Sequence, residues 1–467
     1  IYDGLTANKT YTIKVQMIIY EDKKTDNIFT GYIEKQVTTT ASKGVSVHFI
    51  DVSYDVDSGN GESGDCIFIK TGDGKTILID TGDMESHSKA KQINQYLQDN
   101  KLVSNKTIDY LILTHPHSDH IGGYEGLVDT YKYKFNQIIV PCDTVRTTAG
   151  NSAQSKLYYR ITEDAKKQNK LREVTAGNSI VVGNCVLNIF YPYPEQDIAD
   201  DMLADKNNDG IRSTTPYPNE TTGEATPTNN TTYNNKSIVM KLICGSRKML
   251  LTGDAEFYVE EILTGNVAKE ISNSSEKGLA ILNVNYANNK KEETTYSNLI
   301  KDIKNSSAYP NMNSASDIQQ KYKFSRLTEK DISAQVLKKG HHHVMNSTTI
   351  EFLEKVKCNK IVSTGVHKGT KQMIKYVSMG PDYRIRKYYN SGKSGATSYF
   401  KDSNGKTHLI GTKDTEDKNA GKIRWYKMVF CTSATGNNLG FYITTEKGTG
   451  WSYKNAYDTM NAWAKKQ

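Results

Sequence analysis

The sequence contains no apolar run long enough to cross a bilayer as a helix. No signal peptide opens it. The chain begins inside a structured pattern, so a fragment or a processed form is expected. No C-x-x-C pair is present, which argues against a cysteine zinc site. Six cysteines in 467 residues do not make a disulfide framework. Cys66, Cys185 and Cys244 fall inside apolar strand patterns and read as small buried hydrophobes. Histidine is also scarce. There are 10, and none lies between His120 and His341. The length is enough for a large core and for two or three domains.

The formal charge is a modest +8, unevenly placed. Lys321 to Lys413 holds 19 basic against 6 acidic residues, a local +13 that leaves about −5 elsewhere. A solvated basic face accounts for this; so does attraction of an anionic polymer such as nucleic acid or teichoic acid. Thr, Asn, Ser and Tyr are abundant, a composition common in extracellular bacterial proteins.

The most informative segment is His115-Pro116-His117-Ser118-Asp119-His120. It follows the apolar run Tyr110-Leu111-Ile112-Leu113, which reads as a buried strand, and precedes Gly122-Gly123 and a helical stretch. Three imidazoles and a carboxylate at a strand end pack poorly, but they suit a divalent borderline metal. A His-rich surface loop would lack these flanks.

This H-x-H-x-D-H run resembles the signature of the metallo-β-lactamase superfamily. The resemblance covers about residues 44–412 and implies an α/β fold, the αββα sandwich. It also implies two zinc ions, with manganese or another divalent metal able to take the same ligands. Lys248-Met249-Leu250-Leu251-Thr252-Gly253-Asp254 resembles the superfamily's T-G-D element, which makes Asp254 the expected bridging ligand; a helix N-cap is the competing role. Val336-Leu337-Lys338-Lys339-Gly340 ends in His341-His342-His343. In relatives with paired or triple histidines the second is the ligand, which implies His342, with His341 as the fallback. The other two would then support the ligands or face substrate.

Many superfamily members carry a further histidine before the T-G-D aspartate. Here Asn234-Asn235-Lys236-Ser237 occupies that place. The resemblance therefore implies one open metal held by His115, His117 and Asp254, and another held by Asp119, His120, Asp254 and His342. An N-x-x-S element, T-G-D and K-x-x-H-H are similar to the metallo-β-lactamase domain of DNA-uptake competence proteins. The triple histidine and Ala396-Thr397-Ser398-Tyr399-Phe400 look closer still to teichoic-acid phosphorylcholine esterase. The competence proteins' membrane channel and the esterase's choline-binding repeats have no counterpart in the sequence.

Three units are expected along the chain. Residues 1–41, with Leu5 and Tyr11, resemble a partial fibronectin type III segment; a plain β-hairpin is the simpler reading. Residues 44–412 form the hydrolase domain, with insertions at about 194–235 and 265–330. Residues 413–467 read as a small α+β extension ending in a helix from Tyr453 to Trp463. Within the first insertion, Asp205 to Gly210 has the oxygen spacing of a calcium loop. Pro216 stands where the closing glutamate belongs, so calcium is the weaker reading there.

The expected activity is metal-assisted phosphodiester hydrolysis by a secreted or cell-surface protein. Its substrate would be DNA or a wall polymer, with cell-wall association. Asp119, Asp254 and His342 are the expected catalytic groups. Asp80 and His48 would support the ligands; Asn235, Ser237, His341 and His343 would contact phosphate or the leaving group. The alternatives are hydrolysis of a lactone, amide or β-lactam, and a non-catalytic binding module stabilised by metal.

Overall fold

The computed structural model describes residues 10–15, 18–19, 28–29, 33–38, 44–52, 64–84, 88–142, 144–145, 149–192, 216–218, 225–227, 233–234, 236–256, 259–260, 263, 332–343, 347–364, 399–401, 407–409, 429–432, 439–445 and 450–464. Two large sheets dominate it. The first contains β1 (Val45–Ile50), β2 (Ile67–Thr71), β3 (Thr76–Ile79), β4 (Thr107–Ile112), β5 (Lys134–Pro141) and β6 (Leu171–Val174). The second contains β7 (Ser179–Val182), β8 (Cys185–Tyr191), β9 (Val239–Cys244), β10 (Arg247–Leu251), β11 (Val336–Lys338) and β12 (Lys360–Ser363). β13 (Val429–Cys431), β14 (Gly440–Thr445) and β15 (Trp451–Ser452) come from the C-terminal segment. The sheet orders are β6-β5-β4-β3-β2-β1-β14-β15 and β7-β8-β9-β10-β11-β12-β13.

The central strands are apolar on both faces, which buries them on both sides. Ile67, Ile69, Ile77 and Ile79 face the second sheet and join its core. Phe68 and Leu78, between them in sequence, face the other way. There they meet α1 (Ser88–Asp99) and α3 (Ala153–Lys167) through Ile93, Leu97, Leu157 and Ile161. A short helix, α2 (Ser118–Ile121), lies between them in the chain. Phe352 and Leu353 of α4 (Ile350–Val356) and Met460 of α5 (Lys454–Ala464) belong to the core cluster that the second sheet's strands line. Each such buried side chain contributes about 1.5–3 kcal/mol. The result is the α/β sandwich of the metallo-β-lactamase fold expected from the sequence.

The C-terminal segment is not an appended cap. β13 pairs with β12, and β14 with β1, so this segment extends both sheets. Phe430 and Phe441 pack together within the core. In residues 1–41, Thr10–Val15 pairs antiparallel with Ile33–Thr38, and Ile18–Ile19 with Ile28–Phe29, in a hairpin arrangement. Tyr399–Lys401 pairs antiparallel with Thr407–Leu409. The calcium-like loop and the 265–330 insertion lie outside the described residues, as does most of the basic 321–413 region.

The capping residue of α4 is Thr349, whose side chain accepts from Phe352 N, rather than Thr348 as its spacing from Glu351 suggests. The Glu260 carboxylate accepts from both threonine backbone N–H groups and fixes this offset.

Candidate metal centre

Four parallel-paired strands end at one place. Asp80 follows β3, Thr114 and His115 follow β4, Asp254 follows β10, and His341 and His342 follow β11. Ligand sites of α/β proteins form at such carboxyl ends of strands. Between His115 and His120 the chain turns into α2, which presses against the 81–84 loop. Gly122 N donates to Gly82 O, and a Cβ on Gly122 would lie 2.0 Å from Met84 N. A Cβ on Gly123 would lie 2.2 Å from Thr81 O. Glycine is required at both positions for α2 to reach the cluster.

His341 and His342 occupy the left-handed region, with φ of 44° and 39°. For non-glycine residues this costs on the order of 1–3 kcal/mol each, and such strain clusters at functional sites. The turn throws the His342 ring inward, where Nδ1 donates to Thr364 O at 3.1 Å.

The inward-facing atoms converge closely. His342 Nε2 lies 3.2 Å from His120 Nε2, 3.2 Å from Asp254 Oδ2 and 3.2 Å from Asp119 Oδ2. His120 Nε2 lies 3.0 Å from Asp254 Oδ2. On the other side, His115 Nε2 and His117 Nδ1 are 3.0 Å apart, and His115 Nε2 is 3.9 Å from the same Asp254 oxygen. A tetrahedral shell with bonds of about 2.0–2.1 Å sets neighbouring ligand atoms roughly 3.3 Å apart. These residues therefore fit two metal positions. His115 and His117 would serve one; Asp119, His120 and His342 the other; Asp254 Oδ2 lies between. Asp254 Oδ1 is buried and has no hydrogen-bond partner.

The electrostatics agree. Burial alone would raise the carboxyls of Asp119 and Asp254, but His120 and His342 reverse this and hold both well below the usual carboxylate range. Burial pushes His115 well below its ordinary value, and also lowers His117, so both imidazoles are neutral with lone pairs free. His120 and His342 go the other way. Burial opposes their charge, yet Asp254 and the surrounding carboxylates drive both well upward. The site thus favours positive charge between the carboxylates, where a divalent cation would stand.

The supporting groups explain the ring orientations. Asp80 accepts from His120 Nδ1 at 2.8 Å, and from Thr114 N and Oγ1 at 2.7 and 2.6 Å. Ser237 Oγ accepts from Asp254 N at 3.0 Å and lies 3.3 Å from His115 Nδ1. Ser237 therefore holds two ligands in place from behind. His341 Nδ1 is 3.5 Å from Glu256 Oε1, and Asn234 Nδ2 donates to that same oxygen at 2.8 Å. His341 Nε2 is 3.4 Å from Asn234 Nδ2. Asn235 and the His343 side chain lie outside the described residues.

His48 takes no part in the centre. Its neighbours Val47 and Phe49 face the second sheet, so His48 faces α1, with Nδ1 3.2 Å from Tyr96 Oη and Nε2 3.0 Å from Ser46 Oγ. Sequence reasoning missed Asp65, Glu256 and Lys338. Asp65 and Lys338 pair beside the centre, both buried. The available signal was a charged residue opening or ending an apolar strand, which requires a buried partner.

The class defined by this fold and site is an α/β sandwich with a His/Asp cluster, at the ends of its strands, that could hold metal ions. Residues 59–135 match the family described as the Metallo-beta-lactamase superfamily, whose members are generally metal-dependent hydrolases. No curated protein matches the chain. Among solved structures it is similar to the metallo-beta-lactamase fold protein YhfI from Bacillus subtilis, at 10% identity and TM-score 0.31, covering 70% of this chain and 89% of that one. It is also similar to a HARLDQ-motif mutant metallo-beta-lactamase from Cronobacter sakazakii, at 11% and 0.27, covering 62% and 75%. A metallo-beta-lactamase from Staphylococcus aureus gives 16% and 0.24, covering 46% and 44%.

Proposed function

We propose that this protein is a two-metal phosphodiesterase acting outside the cell on an anionic polymer, either nucleic acid or teichoic acid. The observation that carries this reading is the make-up of the His115–His117 side. Where many superfamily members add a third imidazole, the described residues here are Asn234, Lys236 and Ser237. Ser237 is occupied in bracing His115 and Asp254. That side is left with two imidazoles and a shared carboxylate, which leaves coordination positions for phosphoryl oxygens.

Divalent ions bound there would polarise a phosphoryl oxygen and lower the pKa of an attacking water. The chain's own groups do the rest. Asp119, 19% exposed, reaches toward solvent and orients the attacking water. His341, held between Glu256 and Asn234 at the rim of the cluster, delivers a proton to the leaving oxygen. The abundance of Thr, Asn, Ser and Tyr supports an extracellular setting with cell-wall association.

The test is a substrate panel with metal-loaded protein: bis-p-nitrophenyl phosphate, DNA, RNA, choline-phosphate esters and nitrocefin. Turnover of phosphodiesters is expected. Turnover of nitrocefin without phosphodiester cleavage would assign the centre to amide chemistry instead. No turnover, with a fold indifferent to chelator, would indicate a binding module.

A further inference from the structure

A fully buried cation stands beside the centre: Lys338, at the end of β11. Its side chain is fully buried, on a strand whose other residues, Val336 and Leu337, belong to the core. Its ammonium forms a close ion pair with Asp65 Oδ2, donates to Gly253 O at 2.8 Å and stands 3.8 Å from Asp254 Oδ1. Asp65 then reaches the ligands: its other oxygen lies 3.3 Å from His342 Nδ1. Lys338 thus touches one route into the His342 position alone and one into the carboxylate that lies between both positions. One runs through Asp65 to His342, the other through the Gly253 carbonyl to the turn that presents Asp254.

We propose that Lys338 is a positioning residue of the centre: a fixed internal cation that holds Asp65 against His342 and Gly253–Asp254 against β11, and so sets metal affinity on the His342 side. This rests on reading the cluster as a metal centre. Two contrary effects decide the sign. By charge alone, a cation so near a metal-binding carboxylate weakens metal binding, and removing it would tighten the site. By positioning, removing it frees Asp65 and the Asp254 turn, and groups that orient metal ligands typically account for about 10–100-fold in affinity. Burying a charged lysine carries a desolvation penalty, and its three contacts all lead to the ligands, so positioning is the larger effect.

The experiment compares metal-free wild type with Lys338→Met, which keeps the length of the stem. Both are titrated with Zn²⁺ against a chromophoric chelator and with Co²⁺ by visible absorption. Wild type should bind two ions. Lys338→Met should bind the ion on the His342 side about 10–100-fold more weakly and the other ion less affected, with the larger change in one of the two cobalt signatures. Equal weakening of both ions would mark a general loss of packing and overturn the proposal. Unchanged or tighter binding of the ion on the His342 side also overturns it. If Lys338→Met does not fold, the Lys338→Met/Asp65→Asn variant removes both charges of the pair. The same selective weakening is expected there, and wild-type titration would overturn the proposal. A wild type that binds no metal fails the metal-centre reading itself, whereas two ions in wild type with an unaffected variant fails only the role of Lys338.

Discussion

His120 donates from Nδ1 to the buried Asp80 carboxylate at 2.8 Å, which turns its Nε2 toward Asp254 and His342, 3.0 and 3.2 Å away. One hydrogen bond fixes both tautomer and ring direction. Asp80→Asn removes the negative charge that holds the ring while keeping the shape of the side chain. The expected result is a loss of about 10–100-fold in affinity for the metal on the His120 side, measured by chelator competition. Unchanged affinity would show that Asp80 braces Thr114 only.

His117 bears on hydrolysis more than on folding. Its Nδ1 faces His115, its other ring nitrogen has no hydrogen-bond partner, and its ring is half-buried near Tyr233. His117→Ala should reduce phosphodiester turnover to background while circular dichroism and the apo unfolding midpoint stay close to wild type. Unchanged turnover would contradict a catalytic metal at this position.

Gly122 carries the packing argument. Because its added Cβ would strike the backbone of Met84, no rotamer change relieves the clash. Gly122→Ala should destabilise by about 4 kcal/mol or more, the range reserved for breaking a tightly packed feature. Val181→Thr, at an exposed edge-strand position, should stay within about 0.5 kcal/mol. Urea unfolding of both variants checks this; equal midpoints would contradict the close approach of α2.

Acid stability should respond to His48. Burial, with Lys70 adding, lowers its pKa to about 3 from an ordinary 6.5. Between those values the unfolded chain binds a proton that the folded chain refuses, so stability falls as pH falls through that window. The slope is about 1.4 kcal/mol per pH unit for this group. His48→Gln should flatten the acid limb of a stability–pH curve by that amount. An unchanged slope would mean that the site is open to water.

The parts of the centre legible in the sequence are those where chemistry is concentrated in short segments. His115 to His120 follow one strand, Asp254 closes T-G-D, and His342 sits in a triple histidine that no core strand would carry. What stayed hidden depends on pairing across the fold. Asp65 meets Lys338 only when the two sheets come together. β13 is too short to be recognised as a core strand without β12 beside it. His48 belongs to the outer face because Val47 and Phe49 take the inner one, an alternation visible in sequence but not assignable to a face without the sheet partners. Lys338 and Lys339 count toward the basic stretch, yet both are buried, so charge per segment overstated the solvated charge.

Asp254 stands where two metal positions would share one carboxylate. Metal content of the purified chain, measured by inductively coupled plasma mass spectrometry, tests this most directly. The account predicts about two divalent ions per wild-type chain and about one each in His117→Ala and His342→Ala. A wild type that holds none after incubation with excess zinc, manganese or cobalt would contradict it.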